Sequence, residues 1–181
     1  MRATEKIDMD LPARPDELIE KLKQLGIGFK LHEHRAVFSV GEADDVDAQI
    51  PGAHTRNLFV RDKKENMFLV TLLAHTKIDL TKLAELIGAG RLSFGSPDRL
   101  MKYLGVSPGS VTPFSIMNDR ENKVSLILDA EMMTHDIVNY HPLINTMTIG
   151  LSPADLLKFL ETTGHQPQII DLTPASGESS C

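Results

Sequence analysis

Arg56-Asn57-Leu58-Phe59-Val60-Arg61-Asp62-Lys63-Lys64-Glu65-Asn66-Met67-Phe68-Leu69-Val70-Thr71-Leu72-Leu73 reads as two strands joined by a polar turn over 62–66. Apolar residues occupy both faces of each strand, the pattern of strands covered on both sides. The hairpin therefore belongs near the centre of a sheet. The apolar run from Met67 to Ala74 is far too short to span a bilayer and fits a buried strand.

Helices flank this hairpin in the sequence. A first one is expected over 15–25: Pro15 suits the first helical position, Leu18, Leu22 and Leu25 share a face, and Gly26 can end it. Residues 41–50 predict a short helix bearing Glu42, Asp44, Asp45 and Asp47. Asp79 can cap a helix ending before Gly88, and Ser96-Pro97-Asp98 opens another that stops at Gly105. Ser152-Pro153-Ala154-Asp155 opens a further helix that stops at Gly164. Further strands are expected near 29–34, 111–117, 123–129, 137–140, 146–149 and 168–172, with a second hairpin turning through 118–122. Hairpins alternating with helices indicate an α/β fold of the α+β type, with one mixed, largely antiparallel sheet flanked by helices. The domain is expected over 15–172, after an arm at 1–14 and before a disordered Ser- and Gly-rich tail at 173–181.

The chain has 181 residues and a net charge of −6, which argues against a broad, unspecific nucleic-acid surface. The charge is uneven: 56–102 is net +4, between flanks of −4 and −6. A local basic segment of this kind can grip a few phosphates, and it can equally be a set of solvated helix and hairpin faces. The single cysteine is Cys181, and the first ten residues mix charges without a signal-peptide apolar stretch. Cytoplasm is the expected compartment, without membrane attachment.

Ser107-Pro108-Gly109-Ser110-Val111-Thr112-Pro113 is the most unusual stretch. Proline gives no N–H to a ladder, and glycine lets a backbone approach closely. The segment reads either as the start of an edge strand or as a loop whose backbone groups hold a small ligand. Phosphate-loop glycine motifs are absent from the sequence, and no stretch of it makes a persuasive serine-hydrolase elbow. His32 and His34 share one strand face but lack an evident third ligand, so no metal is expected. Strand alternation aligns Arg56 with Leu58 and Val60, so its guanidinium either snorkels or enters a pocket. His141, before Pro142, reads as a histidine at a stiffened turn.

Taken together, these segments resemble the YbaK/prolyl-tRNA editing-domain family, and within it the freestanding deacylases that clear alanine mischarged on proline tRNA. The resemblance covers 15–172. It rests on Thr55-Arg56-Asn57-Leu58-Phe59, on Arg91-Leu92-Ser93-Phe94-Gly95, and on Leu104-Gly105-Val106 continuing through Ser107 to Pro113. Asn118-Asp119, His141-Pro142-Leu143 with Asn145, and Gly164-His165 complete it.

The resemblance implies the editing fold associated with prolyl-tRNA synthetases, and a hydrolase that removes a small amino acid, alanine above all, from proline tRNA. It implies that Gly109, Ser110, Val111, Thr112 and Pro113 line the aminoacyl pocket. His141 would shape the small side-chain site, and Asn57 and Asn118 would meet the terminal nucleotide or the ester. Phosphate contacts are expected from Arg56 and from some of Arg61, Lys63, Lys64 and Lys77. The implied partners are the acceptor end of mischarged tRNA and, as a second candidate, prolyl-tRNA synthetase. No DNA and no cofactor are expected.

Arg56 stands where the resemblance places an essential lysine. A guanidinium stays protonated, so it can neither take a proton nor form a Schiff base. It can hold a phosphate or stabilise an oxyanion. The sequence therefore leaves three readings: an active deacylase, a weak or inactive member that binds charged tRNA ends or a synthetase, and a hydrolase of other small esters or amides.

Overall fold

The computed structural model describes residues 12–172. The expected tail at 173–181 and most of the arm at 1–14 lie outside that range.

Helix α1 (Pro15–Gln24) starts on its proline and buries Leu18 and Leu22. Strand β1 (Lys30–Glu33) leads through a loop to helix α2 (Val40–Asp47), which Ser39 caps by accepting from the Glu42 N–H. Strands β2 (Ala53–Arg61) and β3 (Met67–Leu73) form the expected antiparallel hairpin, with Arg56 opposite Leu72 and Arg61 opposite Met67. Helix α3 (Leu80–Ile87) is capped by Asp79 and closed by Gly88 in the left-handed region. Strand β4 (Ser93–Phe94) and helix α4 (Pro97–Leu104) follow. Then come β5 (Val124–Asp129), β6 (Val138–Tyr140), β7 (Met147–Leu151), α5 (Pro153–Thr163) and β8 (Gln168–Ile170).

The strands form one mixed sheet in the order β1-β7-β6-β2-β3-β5-β8, with β4 attached to β2. Alternation along the central strands sends their side chains to two cores. Phe59, Leu69, Leu126 and Leu128 pack with Leu18, Leu104, Leu156 and Phe159 of α1, α4 and α5. Leu58, Val60, Val70, Leu72 and Ile127 pack with Leu83 and Ala84 of α3. The two-sided apolar pattern of the opening hairpin thus has its cause: each face of the sheet is covered by helix.

One expected element is replaced. Residues 111–117 do not form a strand, so the hairpin expected through 118–122 does not form; the next antiparallel pair of consecutive strands after β2–β3 is β6 with β7. Pro113–Asn118 is a short 3₁₀ helix that Thr112 caps through Oγ1, while Ser115 Oγ donates to the Thr112 carbonyl at 2.6 Å. Pro113 occupies a first helical position, where its missing N–H costs nothing. Consequently β5 joins β3 in parallel, with Leu69 opposite Leu126, and β8 extends the parallel group.

The sheet forks beside β2. Its edge opposite β3 pairs with β6 at Ala53 and His54 and with β4 at Val60 and Arg61. Between those points no ladder partner faces it among the described strands. The loop at 107–112 is tied to this stretch of β2 through Asn57, whose Nδ2 donates to the Val111 carbonyl. Gly95 shows how tightly the far end is closed: its N–H donates to the Phe59 carbonyl at 2.8 Å, and a Cβ there would overlap ring carbons Cδ2 and Cε2 of Phe59. Phe59 is buried in the core and cannot retreat freely. Gly95→Ala is expected to cost about 1–3 kcal/mol by overpacking. The measurement is a urea titration, which should show a lower midpoint at unchanged slope.

Candidate active site

A cavity of about 330 Å³ opens in the fork. Its first wall is the 107–112 loop. Gly109 has φ +92°, a conformation that glycine adopts without strain, and a Cβ there would come within 3.0 Å of the Phe38 ring. The Ser110 N–H donates to the Ser107 carbonyl at 3.0 Å and closes the turn. Asn57 ties the loop to the sheet. Its Nδ2 donates to the Val111 carbonyl at 2.9 Å, while its Oδ1 accepts from Thr71 Oγ1 at 2.6 Å. Gly109 and Val111 line the cavity, whereas Ser110, Thr112 and Pro113 are buried, and none of the three is a lining residue.

The floor is the start of β2, from His54 to Asn57. Arg56 is half-buried, and its Nη2 donates to the Thr76 carbonyl at 2.9 Å. Its Nε is buried without a hydrogen-bond partner among the described residues. Burial lowers its pKa from the usual guanidinium value, and a guanidinium so displaced still carries its proton at neutral pH. One cation is therefore held at the cavity by its stem and a single carbonyl.

The third wall comes from β6, β7 and the turn between them. His141 Nδ1 lies 2.9 Å from the Met147 carbonyl. A carbonyl only accepts, so Nδ1 carries the hydrogen and Nε2 is left as an acceptor. Burial pushes the His141 pKa down, and the neighbouring His34 adds to the effect. His34 is itself committed: Nδ1 to the Arg35 carbonyl at 2.7 Å and Nε2 to Thr148 Oγ1 at 2.8 Å.

The fourth wall is the 37–40 loop with α2, contributing Phe38, Ala43 and Asp47. Asn145 Nδ2 donates to the Val37 carbonyl at 2.9 Å and suspends this loop from the β6–β7 turn. Phe38 is 66% exposed, an unusual position for a large aromatic, beside Gly109 at the mouth.

The structure thus brings Arg56, Asn57, Gly109, Val111 and His141 together, and it leaves others elsewhere. Asn118 Oδ1 accepts from the Ala13 N–H at 2.7 Å, and its Nδ2 donates to the Leu104 carbonyl at 2.8 Å. It staples the segment before α1 to the end of α4 and is not a lining residue. Arg61, Lys63 and Lys64 sit at the opposite end of the hairpin, roughly 17 Å along β2 from Arg56 at about 3.3 Å per residue. Arg61 pairs with Glu65 at 3.2 Å, and Arg99 reaches the same carboxylate at 2.7 Å. Only Lys77, exposed next to Thr76, lies at the cavity end. Sequence reasoning missed Asp47 and Phe38. Both precede the hairpin by several residues, and neither lies in a motif; the acidic run on α2 was their one visible neighbourhood.

A sequence profile described as the aminoacyl-tRNA editing domain matches residues 34–159. The prolyl-tRNA editing protein ProX of Acetoanaerobium sticklandii is 36% identical over 165 residues, spanning 91% of this chain and 100% of that protein. The prolyl-tRNA synthetase associated domain-containing protein 1 of Mus musculus is 37% identical over 160 residues, 86% of this chain and 94% of its own. Among solved structures, one described as a candidate trans-editing enzyme for prolyl tRNA synthetase superposes with a TM-score of 0.65 at 20% identity. It covers 88% of this chain and 98% of that one, and it supports the fold.

Proposed function

This chain belongs to the aminoacyl-tRNA editing-domain family, and we propose that it serves prolyl-tRNA editing in trans, as a deacylase that hydrolyses alanine from proline tRNA. The observation that carries this reading is a single cavity in which a glycine-bearing loop, a guanidinium and a neutral imidazole face one space. Water attacks the ester carbonyl carbon, the carbonyl oxygen gains negative charge, and the bond to the ribose oxygen breaks. The ribose oxygen leaves with a proton, giving free amino acid and uncharged tRNA. Arg56 stabilises the developing charge or the adjacent phosphate, and the loop sets the position of the acyl group. No lining side chain is an evident nucleophile, so proton transfer falls to the substrate's neighbouring ribose hydroxyl.

The cavity also supplies the size filter. A site fitted to alanine rejects the ring of proline by clash, which is the sieve that a synthetic site cannot apply to a smaller amino acid. Purified protein should release alanine from alanyl-tRNA for proline and leave prolyl-tRNA intact under the same conditions. Equal hydrolysis of both would overturn the sieve, and hydrolysis of neither would overturn the deacylase.

Phe38 supports a nucleic-acid end as the occupant of the mouth. A base stacked on an exposed aromatic ring is worth about 1–3 kcal/mol. Phe38→Ala is expected to raise KM for charged tRNA about tenfold, with a smaller change in kcat. A steady-state titration with charged tRNA reads the split.

One observation favours a second reading, a module that binds charged tRNA ends or a synthetase without efficient chemistry. Arg56 already donates to Thr76, which draws part of its fork away from any substrate.

A further inference from the structure

Arg56 and Asp47 are the guanidinium and the carboxylate of the cavity, and no lysine or second carboxylate is among its lining residues. An aminoacyl ester is likewise bipolar at its reacting end. It develops negative charge at the carbonyl oxygen and carries an α-amino group that is largely protonated near neutral pH. We propose that Asp47 binds the α-ammonium group of the aminoacyl ester, so that the protein acts on aminoacyl-tRNA with a free amino group and spares N-acylated forms. This inference rests on the deacylase reading and names the group by which that site would recognise its substrate.

Asp47 is poorly placed for the electrostatics of its own helix. It is the last residue of α2, at the negative end of the helix dipole, where a cation is the stabilising choice. The last turn of α2 holds no basic residue. Its ion-pair contact is with His54, whose Nδ1 lies 3.3 Å from Oδ1. His54 is turned that way by its other nitrogen, which lies 2.9 Å from the Ile50 carbonyl. Burial pushes the Asp47 carboxyl above its ordinary range, Asp44 adds to the push, and only the histidines 54, 141 and 34 oppose it. Asp47 is thus a partly desolvated carboxylate with no lysine or arginine paired to it among the described residues. An arriving ammonium supplies a full positive charge beside a carboxylate that is only partly exposed to water. His141 offers a second acceptor through Nε2, the nitrogen that the Met147 carbonyl leaves free.

The rival is that Asp47 merely orients His54. Two stable probes separate the readings: 3′-(alanylamino)-3′-deoxyadenosine, and the propionylamino compound that lacks only the amino group. Calorimetry on the native protein should show the amino form binding at least tenfold tighter. In Asp47→Asn that preference should shrink to within twofold. A structural role alone would weaken both compounds equally and leave the ratio intact. The proposal is overturned if native protein binds the two equally, if it binds neither, or if Asp47→Asn keeps the preference. The first comparison needs no variant, so it stands even if Asp47→Asn fails to fold. Hydrolysis of alanyl-tRNA is measured alongside: retained amino preference without hydrolysis would sink the deacylase and leave the ammonium site.

Discussion

Arg56→Ala is expected to lower kcat/KM for deacylation of alanyl-tRNA by about 100-fold or more, the usual consequence of removing one preorganised charge donor from a transition-state site. Arg56 contributes to the cavity floor, its stem is half-buried, and Nη2 is fixed on the Thr76 carbonyl. A guanidinium so held does not reorganise as the ester oxygen becomes negative. Arg56→Lys separates the two functional readings. An ammonium at this position retains the charge but loses the second arm of the fork. If charge alone matters, Arg56→Lys keeps activity within about tenfold of native. If the native protein is inert and Arg56→Lys acquires activity, the binding-module reading holds. An Arg56→Ala enzyme within threefold of native would remove the guanidinium from the chemistry altogether. Thermal unfolding of each variant is needed beside the kinetics, because the lost hydrogen bond to Thr76 contributes about 1 kcal/mol to stability.

Much of the fold was legible because it is written in local chemistry. The β2–β3 hairpin declares itself by a polar five-residue turn between runs that are apolar on both faces. Four helices begin at residues whose type suits the start, Pro15, Asp79, Ser96 and Ser152, and close at or just before a glycine. The failure at 111–117 has an equally local origin. Val111-Thr112-Pro113-Phe114 has strand-forming residues around a proline that fits an edge strand and a helical first turn about equally. What decides is Thr112, whose hydroxyl caps the 3₁₀ turn while its carbonyl accepts from Ser115. The parallel pairing of β3 with β5 could not be read at all. It depends on a crossover whose partners are far apart in sequence and alike in pattern.

The site was legible where a motif carries it and silent where the fold assembles it. Arg56, Gly109 and His141 lie in short recognisable stretches, and the structure brings all three to one cavity. Asn57 illustrates a subtler case. Its position was readable, yet both its oxygen and its nitrogen serve Thr71 and the Val111 carbonyl, so it positions the loop. Arg61, Lys63 and Lys64 share a basic stretch with Arg56, but strand geometry carries them to the other end of β2. Proximity in sequence along a strand means distance in space. Asp47 and Phe38 arrive from a helix and a loop that only Asn145 and the sheet fork hold in place, and no linear pattern records that.

Asp119→Ala is expected to destabilise the fold by about 3–5 kcal/mol, because it removes a buried carboxylate that accepts several hydrogen bonds. Asp119 is 4% exposed and accepts three hydrogen bonds. Oδ1 takes the Lys123 N–H at 2.9 Å, and Oδ2 takes the Val124 N–H at 2.8 Å and His165 Nε2 at 2.9 Å. Alanine removes the acceptor of the Lys123 and Val124 amides and of His165 Nε2, leaving the imidazole only its Nδ1 contact with Thr163 Oγ1 at 3.1 Å. The loss is a large fraction of the roughly 5–15 kcal/mol that holds a typical domain together, so the urea midpoint should fall by about a fifth or more. Burial alone would raise the Asp119 pKa, but the His165 bond and the two amides outweigh it and hold the carboxyl below its usual range. A depressed carboxyl stabilises the fold above the unfolded value of about 3.9, and that share is lost as pH falls through the folded value. Asp119→Asn should therefore flatten the acid limb of the stability curve as well as lower it. The consequence reaches the cavity. Asp119 follows the Pro113–Asn118 turn directly, and Asn57 grips the same segment at Val111, so the loop is pinned at both ends. A variant that unfolds like native at pH 7 would show that the Asp119–His165 pair anchors nothing, and the loop would then depend on Asn57 alone.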